Sequence, residues 1–208
     1  MLREVRRYVS VFKSRIRNQS VPEIAALLLQ FIFKNDRILI YVKELDSDIS
    51  FSSGAQSNGY KQIVKGDSGD LEILRRNMTQ VPWEFMCNLY DGVKDFFIYK
   101  DDGVIGHISW VYYRGDPNRI IDLAVDEGEI KYALTLPQFR GRGIYPAALI
   151  RIQRFLQENG CKRIFICVKE DNRPSIRGIE KAGFKFLTKI DLLKVLGIQL
   201  SKRYTTTN

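Results

Sequence analysis

The sequence predicts a mixed α/β (α+β) fold in which antiparallel strands lead into a parallel βαβ unit. Three observations predict it. Residues 129–136 and 163–168 are apolar, strand-like runs on either side of an amphipathic helical stretch, and strand, helix, strand in so short a span makes the two strands parallel. The turn Asp101-Asp102-Gly103 separates two β-rich runs, 96–100 and 104–113, which marks an antiparallel hairpin. Of the 208 residues, 45% are hydrophobic, enough for an ordinary core.

Taken in order, the elements begin with a stripe of Leu2, Val5, Val9, Phe12 and Ile16, stepping by three and four. Arg3, Arg6, Arg7, Lys13, Arg15 and Arg17 lie largely off it, so residues 1–17 read as an amphipathic helix with a basic face. Such a helix suits packing on the body or on a second subunit in a homodimer, or contact with an anionic membrane surface. Ser20-Val21-Pro22-Glu23 is a capping box with Pro in the first turn. It starts a second helix over 24–33, apolar nearly all round and too short to span a bilayer. Residues 37–44 alternate as a strand, and the Ser-, Asp-, Asn- and Gly-rich run 46–58 reads as a linker. The chain therefore divides into an N-terminal extension, 1–58, and a body, 59–208.

The body opens with a strand over 60–64 and helices over 70–77 and 82–89; Trp83, Phe85 and Met86 could face a substrate or the core. After the hairpin, Pro137 ends the strand 129–136. Ala147, Ala148, Ile150, Arg151, Arg154, Phe155 and Leu156 keep helical spacing, with Gly160 as the end signal. A short helix over 174–181, closed by Gly183, follows the strand 163–168. No internal repeat is visible.

Between strand and helix runs Gln138-Phe139-Arg140-Gly141-Arg142-Gly143-Ile144-Tyr145. Glycines let a backbone approach a phosphate closely, and a helix N-terminus aims free N–H groups and partial positive charge at it. Arg140 and Arg142 add charge-assisted contacts. The loop is built to hold a pyrophosphate, yet it lacks both the G-x-G-x-x-G spacing of a dinucleotide site and the Gly-Lys-Ser/Thr of a P-loop.

Arg-Gly-Arg-Gly opening a helix, with Asn172-x-x-Ser175 and Lys181-Ala182-Gly183-Phe184 about thirty residues later, resembles the GNAT superfamily of N-acyltransferases over residues 96–187. The resemblance implies a mostly antiparallel central sheet, flanked by helices, in which the strand before the loop splays from its parallel neighbour. It implies that the backbone of Ala133, Leu134 and Thr135 pairs with the pantetheine arm of acetyl-coenzyme A. It places Arg140, Gly141, Arg142, Gly143, Ile144 and Tyr145 on the pyrophosphate, and Asn172 and Ser175 along the cofactor arm. The implied reaction is acetyl transfer to a primary amine of a small molecule such as an amino sugar, amino acid or polyamine, with no metal.

Three departures from the family's pattern stand out. Read from Arg140, the Gln/Arg-x-x-Gly-x-Gly/Ala frame ends on Tyr145 and is followed by Pro146, which has no N–H; read from Gln138 it fits literally, but places the helix start earlier. Ile179 stands where many members carry a Tyr general acid, and Cys167 where some carry a catalytic Glu.

Attack on a thioester needs a neutral amine, so a base must take a proton and the leaving thiolate must be protonated or stabilised. Glu129 is the first choice of base, with Glu127, Asp126 and His107 as further candidates; Tyr145 reads as the replacement proton donor or as a helix-start residue packed over the cofactor, with Tyr112, Tyr113 and Tyr132 as further aromatic candidates. Cys167, in an apolar run, reads as a core residue. A net charge of +9 invites a nucleic-acid reading, but coenzyme A is itself polyanionic and six basic residues fall within the first 17, so no nucleic-acid partner is expected. Three irregularly spaced cysteines suit neither a disulfide framework nor a zinc site. With no apolar run of about 18 residues and no secretory leader, the expected compartment is the cytoplasm, or the periphery of a membrane. Rival readings are a longer acyl donor, free or on a carrier protein, and a non-catalytic acyl-coenzyme A-binding module.

Overall fold

A computed structural model describes residues 33–45, 62–117, 119–195 and 198–205. The expectations for the basic helix 1–17, for most of the helix 24–33 and for the linker 46–58 lie outside the described residues.

The elements are β1 (Phe33–Glu44), β2 (Ile63–Lys65), α1 (Ser68–Arg76), a 3-10 turn (Trp83–Met86) running into α2 (Cys87–Tyr90), β3 (Phe96–Asp101), β4 (Val104–Tyr112), β5 (Glu127–Thr135), a second 3-10 turn (Pro137–Phe139), α3 (Ile144–Glu158), β6 (Arg163–Lys169), α4 (Arg173–Lys181), β7 (Lys185–Val195) and β8 (Ile198–Thr205). They form two compact units. The larger holds Tyr41–Val168 and Asn172–Leu187; the smaller includes 33–40, Lys169–Asp171 and 188–205.

In the larger unit β2, β3, β4 and β5 pair antiparallel in chain order, and β5 pairs parallel with β6. This is the mixed, mostly antiparallel sheet the sequence predicts. The hairpin turns through Asp102 at φ +46° and Gly103 at φ +79°, the left-handed pair that a two-residue connection between twisted strands requires. Residues paired across strands share a face. Phe97 meets Phe155 of α3 on one face, with ring centroids 5.2 Å apart. Phe96, Trp110 and Tyr112 belong to the other face, beneath the 3-10 turn and α2: Trp110 donates to the Glu84 carbonyl and Tyr112 to Asp91. Ala148, Leu149, Ile152 and Leu156 of α3 are wholly buried; of the residues whose spacing predicted the helix, only Ala148 and Leu156 are on this buried face, and Ala147, Ile150, Arg151, Arg154 and Phe155 are half-buried beside it.

The segment 82–89 departs from the single helix predicted. The Glu84 carbonyl, which a continuous helix would offer to residue 88, accepts instead from Trp110 Nε1 at 2.7 Å. The Phe85 carbonyl accepts from Arg75 Nε at 3.1 Å. Side chains distant in sequence thus take the acceptors on which helix propagation depends. α1 keeps its predicted place, opened by a reciprocal capping box between Asp67 and Asp70.

In the smaller unit β7 and β8 form an antiparallel ribbon from Lys189↔Thr205 to Val195↔Ile198. Arg37 lies 3.5 Å from Glu170 and 3.7 Å from Asp191, and Lys169 lies 2.9 Å from Asp36. Among the described residues no helix is long and apolar enough to cross a membrane.

Candidate functional site

The site begins with a fault in β5. Pairing with β4 runs from Tyr112↔Glu129 to Trp110↔Lys131, then resumes at Ile108↔Leu134. Ser109 therefore faces two residues, Tyr132 and Ala133. Tyr132 sits at φ +51°, and a bulge of this kind bends its strand. The parallel ladder with β6 stops at Ile130↔Ile166, although β5 continues to Thr135 and β6 to Lys169. The strands part there, and the backbone edge of 133–135 opens.

Beyond that edge Leu136 N–H donates to the Gly106 carbonyl at 2.9 Å, holding the start of the loop against β4. Gly141 and Gly143 take φ +77° and +71°, and no atom lies within 4 Å of where a Cβ would stand on either. Only glycine takes this backbone without strain, and the space a side chain would fill stays open for a ligand. Gly143 caps α3 and no side chain caps the helix, so the N–H groups of Gly143, Ile144 and Tyr145 lack a side-chain acceptor at the positive end of the dipole. The helix starts directly after the frame read from Gln138 has closed on Gly143; that frame, not the one from Arg140, matches the observed turn. Arg140 Nε donates to the Thr135 carbonyl at 3.1 Å.

α4 supplies the facing wall. Asn172 Oδ1 accepts from Ser175 N–H at 3.3 Å, which fixes the helix start. A Cβ on Gly178 would stand 2.6 Å from Tyr145 Cδ1, so the two helices approach by way of the Tyr145 ring lying on bare backbone. Tyr145 keeps part of its surface on the cavity while burial pushes its hydroxyl pKa up, so that hydroxyl stays protonated.

These parts enclose one cavity of about 550 Å³. Its wall takes in Ala133, Leu134, Thr135, Arg140, Gly141, Gly143, Ile144, Tyr145, Asn172 and Ser175, all expected from the sequence. Arg142 does not line it; its guanidinium lies 3.6 Å from Asp101 and 5.3 Å from the Phe139 ring centre. The wall also contains Glu84, which the sequence reading passed over although it singled out both neighbours, Trp83 and Phe85. The signal was an acidic residue inside the otherwise apolar run Pro82-Trp83-Glu84-Phe85-Met86.

Glu129, the expected base, lies outside the wall. It is wholly buried on the face it shares with Tyr112 and Phe165. Burial pushes its pKa up, and neither carboxylate oxygen has a close, well-aligned donor among the described residues. Lys131, the Cys167 thiol, the Ile120 N–H and Arg119 lie near enough to offset part of that burial. Glu127 pairs with Arg163 and accepts the Ala124 N–H at 2.8 Å, and Asp126 pairs with Lys162 at 3.0 Å. Both acids are thus engaged in holding loops and strand ends. His107 is wholly buried between hydroxyls, Nδ1 at 2.8 Å from Thr135 Oγ1 and Nε2 at 2.7 Å from Ser109 Oγ. Burial lowers its pKa to about 3, so the ring is neutral at physiological pH. Cys167 is half-exposed rather than enclosed in the core, because β6 has parted from β5 at that point. Ile179 is wholly buried in α4. Among the described residues no group of three or more His, Cys, Asp or Glu is placed to hold a metal ion.

A profile of the acetyltransferase (GNAT) domain family matches residues 60–185. An acetyltransferase of Pectobacterium atrosepticum is 38% identical over 69 residues, 33% of this chain and 49% of the relative, so the chain spans about half the length of the curated relative it matches. Among solved structures, a GNAT-family acetyltransferase from Colwellia psychrerythraea aligns at TM-score 0.55 and 14% identity, over 83% of this chain and 61% of the other. A GCN5-related glucosamine N-acetyltransferase region of a fungal multi-domain β-N-acetylglucosaminidase aligns at TM-score 0.56 and 11% identity, over 85% of this chain and 23% of the other.

Proposed function

The chain belongs to the GNAT acetyltransferase family, and from that premise we propose that it moves an acetyl group from acetyl-coenzyme A to a primary amine of a small molecule by direct attack. The observation that carries the reading is the joining of three features in one cavity: the opened edge of β5, the left-handed glycine turn and the uncapped start of α3. The residues present fit the donor. Gly143, Ile144 and Tyr145 offer N–H groups to a pyrophosphate, and Arg140 adds charge. The edge of Ala133 to Thr135 offers strand-like pairing to an amide-containing arm. The donor brings an activated thioester, so orientation can supply much of the rate. Tyr145 holds a proton at its hydroxyl for the departing sulfur. Ile179 and Glu129 have no part in the cavity wall, so the group that deprotonates the amine is sought elsewhere.

The acceptor classes are amino sugars, amino acids and polyamines. Glucosamine, named for the fungal region above, comes first in a panel. The basic stripe at residues 1–17 supports work beside an anionic membrane surface, or a contact with a second subunit.

Calorimetric titration with acetyl-coenzyme A tests the reading, using wild type and Gly143→Trp. Micromolar binding to wild type that vanishes in the variant supports it. No binding by wild type sinks acetyl-coenzyme A as donor. Binding without turnover across a broad amine panel would favour the non-catalytic reading that Ile179 motivates.

A further inference from the structure

We infer that Glu84 receives the acceptor: its carboxylate binds the incoming ammonium and takes the proton that frees the nitrogen lone pair. The inference rests on the acetyl-transfer reading above and assigns the one role that reading leaves open.

Among the described residues of the cavity wall, Glu84 is the only acid. The rest of the wall favours anions, through Arg140 and the start of α3. Charge therefore sorts the two substrates within one cavity. A pyrophosphate is drawn to the glycine turn, and a cationic amine is repelled from it and drawn to Glu84.

The main chain beneath Glu84 is pinned from several sides. Its carbonyl accepts from Trp110 Nε1 at 2.7 Å and from the Cys87 thiol at 3.5 Å. The next residue, Phe85, is wholly buried; its N–H donates to the Pro82 carbonyl at 3.0 Å and its carbonyl accepts from Arg75. On the other side, Trp83 packs edge-on against Tyr132, with centroids 4.4 Å apart. Tyr132 is the left-handed residue of the β5 bulge. The turn that carries Glu84 is thus locked to the point where β5 departs from β6. A rigid mount of this kind is what a proton-accepting group needs if it is to meet a substrate at a fixed place. The other acids considered as bases lie outside the wall: Glu129 has no exposed surface, Glu127 pairs with Arg163 and Asp126 with Lys162.

The step balances. One proton passes from the ammonium to the Glu84 carboxylate. The nitrogen lone pair forms the C–N bond at the thioester carbonyl carbon, and the C–S bond breaks with its electron pair on sulfur. Tyr145 gives the sulfur a proton and regains one from the nitrogen, and Glu84, half-exposed, returns its proton to solvent. An ammonium and a thioester become an amide, a thiol and one free proton.

The test compares wild type, Glu84→Gln and Glu84→Asp, with acetyl-coenzyme A binding by calorimetry and thiol release with glucosamine, lysine and spermidine as acceptors. The Gln variant is expected to bind acetyl-coenzyme A within threefold of wild type, which also reports that it is folded. Its kcat/KM for the amine at pH 7 should fall about a hundredfold, as expected for loss of a general base. Its rate should then climb tenfold per pH unit toward the amine's own pKa, closing the gap at alkaline pH; the Asp variant should recover part of the loss. Transfer by the Gln variant within threefold of wild type, or with the wild-type pH profile, overturns the inference. So does a wild-type protein that binds acetyl-coenzyme A and acetylates none of the three amines. A wild type that fails to bind acetyl-coenzyme A fails earlier, at the proposed function itself.

Discussion

A methyl group on Gly178 would collide with the ring of Tyr145 at 2.6 Å, so this position tests how the cavity is held open. Gly178→Ala is expected to cost about 1–3 kcal/mol in urea unfolding, the usual penalty for overpacking, and to weaken acetyl-coenzyme A binding at least tenfold by calorimetry. Tyr145→Phe keeps the ring and removes only the hydroxyl. It should lower kcat about a hundredfold while leaving the Kd for acetyl-coenzyme A unchanged, because proton donation is lost and packing is not. The two glycines of the loop were legible in the sequence, since a turn opening a helix announces itself by local composition. Gly178 was not. It reads as an ordinary helical residue until a ring from another helix is laid on it. Glu84 was hidden for the same reason, because lining a cavity is a relation between residues about fifty positions apart.

The 3-10 turn Trp83–Met86 shows how a side chain from elsewhere can edit an element. Trp110→Phe removes the indole N–H that holds the Glu84 carbonyl. The expected result is a stability loss of about 1–3 kcal/mol, typical of a buried polar group left with fewer partners. With it should come a fall of about tenfold in kcat for amine acetylation, with acetyl-coenzyme A affinity within twofold of wild type. Equal losses in affinity and turnover would show that the turn merely supports the fold. At this scale the sequence was informative wherever the signal was local. The hairpin is marked by Asp102-Gly103 and α3 by its helical spacing. The segment 82–89 departs from the single helix its sequence predicts because its hydrogen-bond acceptors are claimed by Trp110 and Arg75. The ribbon β7–β8 carries no comparable local signal; its residues 185–195 alternate only loosely, and pairing completes what pattern does not.

Across the whole molecule, buried titratable groups give stability a pH dependence. His107 is protonated in the unfolded chain below about pH 6.5, whereas burial holds its folded pKa at about 3. Between those values the unfolded state binds the extra proton, so stability falls as pH drops. His107 alone is expected to remove about 2 kcal/mol between pH 7 and pH 5, and His107→Gln should abolish that part of the slope in urea titrations at the two pH values. Glu129 acts in the opposite sense: its raised folded pKa favours the folded state at acid pH and disfavours it as pH rises above the ordinary carboxylate range. Measuring Glu129→Gln beside His107→Gln separates the two. By itself the sequence determined the antiparallel hairpin, the βαβ unit and the glycine turn that opens α3, because each rests on backbone rules that act over a few residues. Only the tertiary structure decided that β5 bulges at Tyr132 and leaves β6 after Ile130, that Glu129 is buried away from the cavity wall, and that Glu84 lines the cavity. Those outcomes depend on which side chains meet across the sheet, and that meeting is set by packing between segments whose own sequences carry no record of one another.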